Sequence, residues 1–272
     1  MNPYLSIRKV PLDYNGISSS AFAVQMQHTD EDKIGGHEWK EVGVVGHNYL
    51  LVDNSSVKKA AHQVAQECKI DFTPDKTFFN GRNFVYSMKS DHVVGEVSQN
   101  DDVALGMQFW NSYDGSKAFG FAMMLYRLIC TNGMMSKDHF STYRFKHQPS
   151  NENWEESLEE VVTNINNLSR GTNGLDSLIH SFRKLSKSYV TTEELVRIRH
   201  NHLQEIPVSI WGQIVDRFTN PTNHNSGDVE TDHTGWQLLN ASTDLLWHKE
   251  KPTVSSYGQN AVIVDGLCKA VA

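Results

Sequence analysis

The chain has 272 residues, 39% hydrophobic and 21% charged, with 18 Gly and only 7 Pro, so it can bury a large core and is not disordered. Its net charge of −7, from 25 Lys and Arg against 32 Asp and Glu, excludes a surface that grips polyanions everywhere but leaves room for a local basic groove. No apolar run approaches the roughly 20 residues of a membrane span, and Cys68, Cys130 and Cys268 are too scattered for a disulfide framework or a Cys-x-x-Cys metal site.

The N-terminal stretch MNPYLSIRKVPLDYNG lacks the charged-then-apolar pattern of a signal peptide, so a cytoplasmic location is expected. YLSIRKVPL and SSAFAVQMQ alternate with a period near two and predict strands on either side of DYNGI. WKEVGVVGHNYLLVDN predicts two more, joined at Gly46-His47. Asn54 or Ser55 is placed to cap a helix over 54–69, with Val57, Ala60, Ala61 and Val64 on one face. KTFFNGRNFVYSMKS predicts a hairpin turning at Asn80-Gly81. The next hairpin is expected to turn at Asp114-Gly115, pairing Tyr113 with Ser116 and Trp110 with Phe119. Both faces of it are apolar, which suits the centre of a covered sheet. Asn132-Gly133 is expected to turn the chain out of the sheet, and HFSTYRFKHQ to add a further strand.

From Asn151 the pattern changes to helical spacing. A helix starting near Asn153 carries Trp154, Leu158, Val161, Val162 and Ile165. GLDSLIHSFRKLSKS, TTEELVRIRHNHLQEI (capped by Thr191 or Thr192), VSIWGQIVDRFTN and HTGWQLLNASTDLLWHKE follow, with PTNHNSGDVETD as a polar loop. The tail SSYGQNAVIVDGLCKAVA predicts a strand or a short helix. The expected fold class is α+β: an antiparallel β-sheet with a packed helix over 1–150, then a mainly helical region over 151–272, packed as one unit.

GVVGHNYLLVDNSS, FWNSYDGSKA, RLICTNGM, FKHQPSN and TGWQLLNASTDLLWH occur in this order. Together they resemble the blocks of the phage/plasmid-like protein family, number nine hundred and thirty-two in the domain-of-unknown-function series. The resemblance runs from about Tyr4 to about His248 and implies a phage, plasmid or prophage setting without supplying an activity. The order of helix, β-meander and helices is also similar to phage annealing recombinases of the Redβ and Erf kind. In those, a sheet beside a helix forms a groove and protomers form rings, which implies a homo-oligomer.

A nucleophilic Cys130 would need His147 or His139 as base, with Asn132 to orient the imidazole. The plain alternative is a small buried hydrophobe. His200-Asn201-His202 gives two imidazoles about 200° apart on a helix, which is wrong for one metal, with His224, His233 and His248 downstream. Neither G-x-x-x-x-G-K-[ST] nor G-x-G-x-x-G occurs, and no cofactor is expected.

Between Lys76 and Lys146, eight cationic residues outnumber six acidic ones and interleave with aromatic rings. A groove for single strands needs that mixture of cations and stacking rings. Arg82, Lys89, Lys117, Arg127, Arg144, Lys146, Tyr113 and Tyr143 are the candidates. Arg183, Lys184, Lys187, Arg197 and Arg199 form a second basic cluster, against Glu193 and Glu194. The leading expectation is a non-enzymatic single-stranded DNA-binding or annealing factor in recombination or replication. Residues 151–272 carry 10 basic against 16 acidic residues, which motivates a second reading: a protein-binding or anti-defence factor whose acidic helical face contacts a host or phage protein. An uncharacterised hydrolase is the third.

Overall fold

The computed structural model describes residues 5–15, 17–29, 37–128, 132–138, 140, 142–169, 175–220, 233–247 and 254–271. The α+β reading is correct, with two antiparallel sheets where one was expected. The strands β1 (Ile7–Tyr14), β2 (Ile17–Thr29) and β3 (His37–Gly46) form a three-stranded sheet in chain order. The predicted strand after Gly46-His47 does not form. Residues 47–53 instead run irregularly into α1 (Asn54–Glu67). The cap of α1 is Asp53, whose carboxylate accepts from the Ser55 N–H at 2.7 Å. Asn54 is fully buried and ties the helix to the sheet: its backbone N–H donates to the Tyr113 hydroxyl and its side-chain Oδ1 accepts from Asn111 Nδ2. Val57, Ala60, Ala61 and Val64 face the core, as their spacing predicts.

The second sheet holds β4 (Thr73–Phe79), β5 (Asn83–Ser98), β6 (Asp101–Ser112), β7 (Phe119–Arg127) and β8 (Asn132–Met134) in that order. A sixth strand, β9 (Thr142–Phe145), shares the β7 edge with β8. The turn between β4 and β5 is centred one residue later than predicted. Gly81 takes φ +92°, and the Asn80 side chain accepts from the N–H groups of Arg82 and Asn83.

The central hairpin also differs. Trp110 pairs with Gly120 and Phe109 with Phe121, so the register sits one residue from the expected pairing. The connection is a longer loop, in which the Asp114 carboxylate accepts from the Ser116 N–H and Gly115 takes φ +71°. A one-residue shift exchanges the faces of every side chain. Met107, Phe109, Phe119, Phe121 and Met123 now share one face with the main core, while Trp110, Ala122, Met124 and Tyr126 share the other with Trp247.

Asn132-Gly133 is not a turn. Both residues lie in β8, with Asn132 opposite Arg127. Glycine is required there for packing: a Cβ on Gly133 would lie 2.6 Å from the Trp247 ring.

Two short 3-10 turns (Pro149–Asn151 and Trp154–Ser157) lead into α2 (Leu158–Ser169), later than the predicted helix start. Then come α3 (Leu175–Leu185), α4 (Thr192–His202), α5 (Val208–Thr219), α6 (Gly235–Trp247) and α7 (Val254–Ala270). Thr191 and Glu194 close a capping box on α4. The tail forms the long helix α7, whose Ile263, Val264 and Leu267 are fully buried. Sheet residues Phe84, Leu105 and Phe121 belong to the same core cluster as helix residues Leu178, Phe182, Leu238 and Ile263. Among the described residues, no helix is long and apolar enough to cross a membrane.

Candidate functional site

A pocket of about 390 Å³ opens beside the second face of the larger sheet. Gln108 and Trp110 of β6 line its sheet side, with Lys117 at the end of the central hairpin loop. Thr142 and Arg144 enter from β9, where side chains alternate so that Tyr143 and Phe145 pack on the core instead. Met135, Ser136 and Lys137 follow β8, and Gly258, Gln259, Ala261 and Val262 of α7 form the opposite wall with Glu205 and Ile206.

One glycine-dependent contact holds β9 in place. Gly120 pairs with Arg144, and a Cβ on Gly120 would lie 2.0 Å from the Tyr143 carbonyl oxygen and 3.0 Å from the Trp110 ring. Any larger residue would push β9, and Arg144 with it, off the sheet.

The structure therefore brings Lys117 and Arg144 together and adds Lys137, another of the eight cationic residues between Lys76 and Lys146. All three are exposed, and among the described residues none of their side chains has a hydrogen-bond or ion-pair partner. The remaining candidates lie elsewhere or are engaged. Arg82 is exposed in the β4–β5 turn, Lys89 is half-buried on β5, and Lys146 is exposed after β9; none lines the pocket. Tyr113 is 1% exposed with its hydroxyl bonded to Asn54, so it offers no stacking face. The Tyr143 hydroxyl donates to Glu160 and accepts from Asn164, and its ring lies against Phe121.

Arg127 is part of the core. Its Nε and Nη2 each donate at 2.7 Å to a different oxygen of Asp101. Asp101 also accepts from Trp236 Nε1 at 2.7 Å, and the guanidinium lies 5.7 Å from that indole ring. Three residues of the second basic cluster are engaged by other groups of the chain. Arg183 donates to the Glu96 carbonyl, Arg197 pairs with Glu194, and Arg199 caps carbonyls of Leu203 and Ile206.

Cys130 and His139 lie outside the described residues, as do His224 and His248. His147 is 8% exposed; its Nδ1–H donates to the Leu50 carbonyl at 2.8 Å, and its ring stacks on Tyr49 at 4.4 Å. Among the described residues Nε2 has no hydrogen-bond partner, although the Lys117 backbone and Asp114 lie near the ring. Burial pushes its pKa below the ordinary 6.5, outweighing the Leu50 carbonyl and Asp114, which act the other way.

The sign of the pH effect follows. The unfolded chain takes up a proton as pH falls through about 6.5, while the folded chain resists until a lower pH. The His147 contribution to stability is therefore complete above that value and is lost as pH falls through the folded-state pKa. Between pH 7.5 and 5.5 the unfolding midpoint of His147→Gln should fall less than that of the wild type; equal falls would refute the assignment. The slope difference is at most about 1.4 kcal/mol per pH unit.

Burial also pushes the thiols of Cys68 and Cys268 up to about 12, so neither is a thiolate at neutral pH. Among the described residues, His, Cys, Asp and Glu side chains nowhere gather in a group of three that could hold a metal ion.

The model of a family described as Domain of unknown function (DUF932) matches residues 41–264. No curated protein and no solved structure matches the chain.

Proposed function

The chain belongs to the DUF932 family, and because that membership carries no activity we propose a function from the chemistry of the pocket: binding of single-stranded DNA through its phosphates. The protein would act as a non-enzymatic factor in recombination or replication. One observation carries the reading. Lys117, Lys137 and Arg144, from three separate segments, line one concavity on a protein whose net charge is −7, and none is spent on a described carboxylate. Cations left unpaired in a pocket suit an anionic ligand, and a phosphodiester chain supplies one charge per nucleotide.

The aromatic part of the expectation receives less support. Trp110 reaches the pocket wall but is only 6% exposed, and the rings of Tyr113 and Tyr143 are packed internally. Phosphate contacts rather than base stacking would carry the affinity. Binding should then be tolerant of sequence and steeply dependent on salt. Fluorescence anisotropy of a labelled oligothymidylate, titrated at rising salt, tests this directly. No binding at low salt would end the proposal.

A second reading is favoured by Glu152, Glu155, Glu156 and Glu159, all exposed around the start of α2. Such a face suits a basic protein partner. Deleting residues 151–272 would not test it, because these helices share the core with the sheet. Charge-neutralising Glu→Gln changes at those four positions should abolish partner capture while leaving oligonucleotide binding intact.

A further inference from the structure

We infer that Asp265 is a positioning residue that aims Lys137 into the pocket, an inference that rests on the phosphate-binding reading above. After β8 the chain passes through Met135, Ser136 and Lys137, and this segment is suspended from α7. The Asn260 side chain, fully buried, donates to the Gly133 carbonyl at 2.8 Å and accepts from the Met135 N–H at 2.9 Å. Asp265, 7% exposed, divides its two oxygens: Oδ1 accepts from the Ser136 hydroxyl at 2.5 Å and Oδ2 accepts from the Lys137 N–H at 2.9 Å. A carboxylate bonded at both oxygens holds the backbone of the residue whose side chain lines the pocket. The helix that forms one wall thus also sets the origin of a cation on the other side.

Asp265 has a second effect of opposite sign. As an anion behind the pocket it lowers the local positive potential, and by Coulomb's law alone its removal would tighten binding of a polyanion. Positioning and plain electrostatics therefore predict different results for the same substitutions.

The test measures affinity of the full chain for labelled oligothymidylate across a salt series. Lys137→Ala should reduce the slope of log K against log salt by about 0.7, the value of one phosphate contact on a single strand. Asp265→Ala should produce the same reduction, and the double variant should lose little more, because both act through one contact. Asp265→Asn should restore the wild-type slope, since its amide oxygen can accept from the Lys137 N–H and its NH₂ can donate to the Ser136 hydroxyl. If Asp265→Ala does not fold, Ser136→Ala, which removes half of the clamp, should still lower the slope.

Tighter binding by both Asp265 variants would replace positioning with plain electrostatics. Wild-type slopes for Asp265→Ala, or for Ser136→Ala where the former is unfolded, would overturn the inference alone, provided Lys137→Ala lowers the slope. An unaffected Lys137→Ala would overturn it too. Failure of the wild type to bind would remove the site reading and this inference together.

Discussion

Replacing Arg127 by methionine is expected to cost about 3–5 kcal/mol of stability, the range for stranding one member of a buried ion pair. For a chain of this length that lowers the unfolding midpoint by roughly 10 °C. The cost comes from the partner left behind. Asp101 has a side chain only 4% exposed, and Arg127 supplies two of the hydrogen bonds that make its charge tolerable there. Trp236 Nε1 supplies a third, but a neutral donor cannot balance the charge alone. Lysine is a poor substitute, since an ammonium cannot engage both carboxylate oxygens as a planar fork does.

The companion variant separates this account from a simple loss of packing. Asp101→Asn with Arg127→Met removes both charges and leaves an amide oxygen for the indole N–H. The double variant should recover much of what Arg127→Met loses. Thermal unfolding of the single and double variants decides the matter. An Arg127→Met midpoint within about 2 °C of wild type would refute the buried-pair account.

The second large effect is on binding. Lys117→Glu combined with Arg144→Glu should weaken oligothymidylate binding at low salt by about a hundredfold or more. That figure takes two charge-assisted hydrogen bonds at about 1.5–3 kcal/mol each. The salt slope should fall by about 1.4, for two lost contacts on a single strand. Both side chains are exposed, so the unfolding midpoint should barely change. Arg82→Glu provides the comparison: it alters net charge by the same amount per site but lies outside the pocket lining. If Arg82→Glu weakens binding as much per charge, the pocket is not the site. If the double variant binds with the wild-type slope, phosphate recognition there is wrong.

Arg127 and Lys117 show why the candidate site was only partly legible. Both are cations within two residues of an aromatic one, and local sequence treats them alike. What separates them is Asp101, which lies at the other end of β6 and β7 in sequence yet meets Arg127 across that strand pair. Lys137 was equally hard to select, because its relevance depends on α7, more than a hundred residues later, holding its backbone. The alternation Thr142, Tyr143, Arg144, Phe145 was a usable signal: it separates a polar face from a core face within four residues.

Hydrophobic periodicity by itself determined the α+β order, the core face of α1, the amphipathic helices after Asn151 and the presence of the central hairpin. Those features depend on residues near one another in sequence, where spacing and turn chemistry suffice. Tertiary structure alone decided the hairpin register, the strand at Asn132-Gly133 and the pocket. A hairpin apolar on both faces has no polar side to penalise a one-residue slip, so loop geometry sets the pairing. Gly133 pairs with Tyr126 in the sheet, and the Trp247 ring fills the space a side chain there would need. The convergence of Lys117, Lys137 and Arg144 is a property of how β9, the β8 segment and the hairpin loop pack against α7, and no local pattern encodes it.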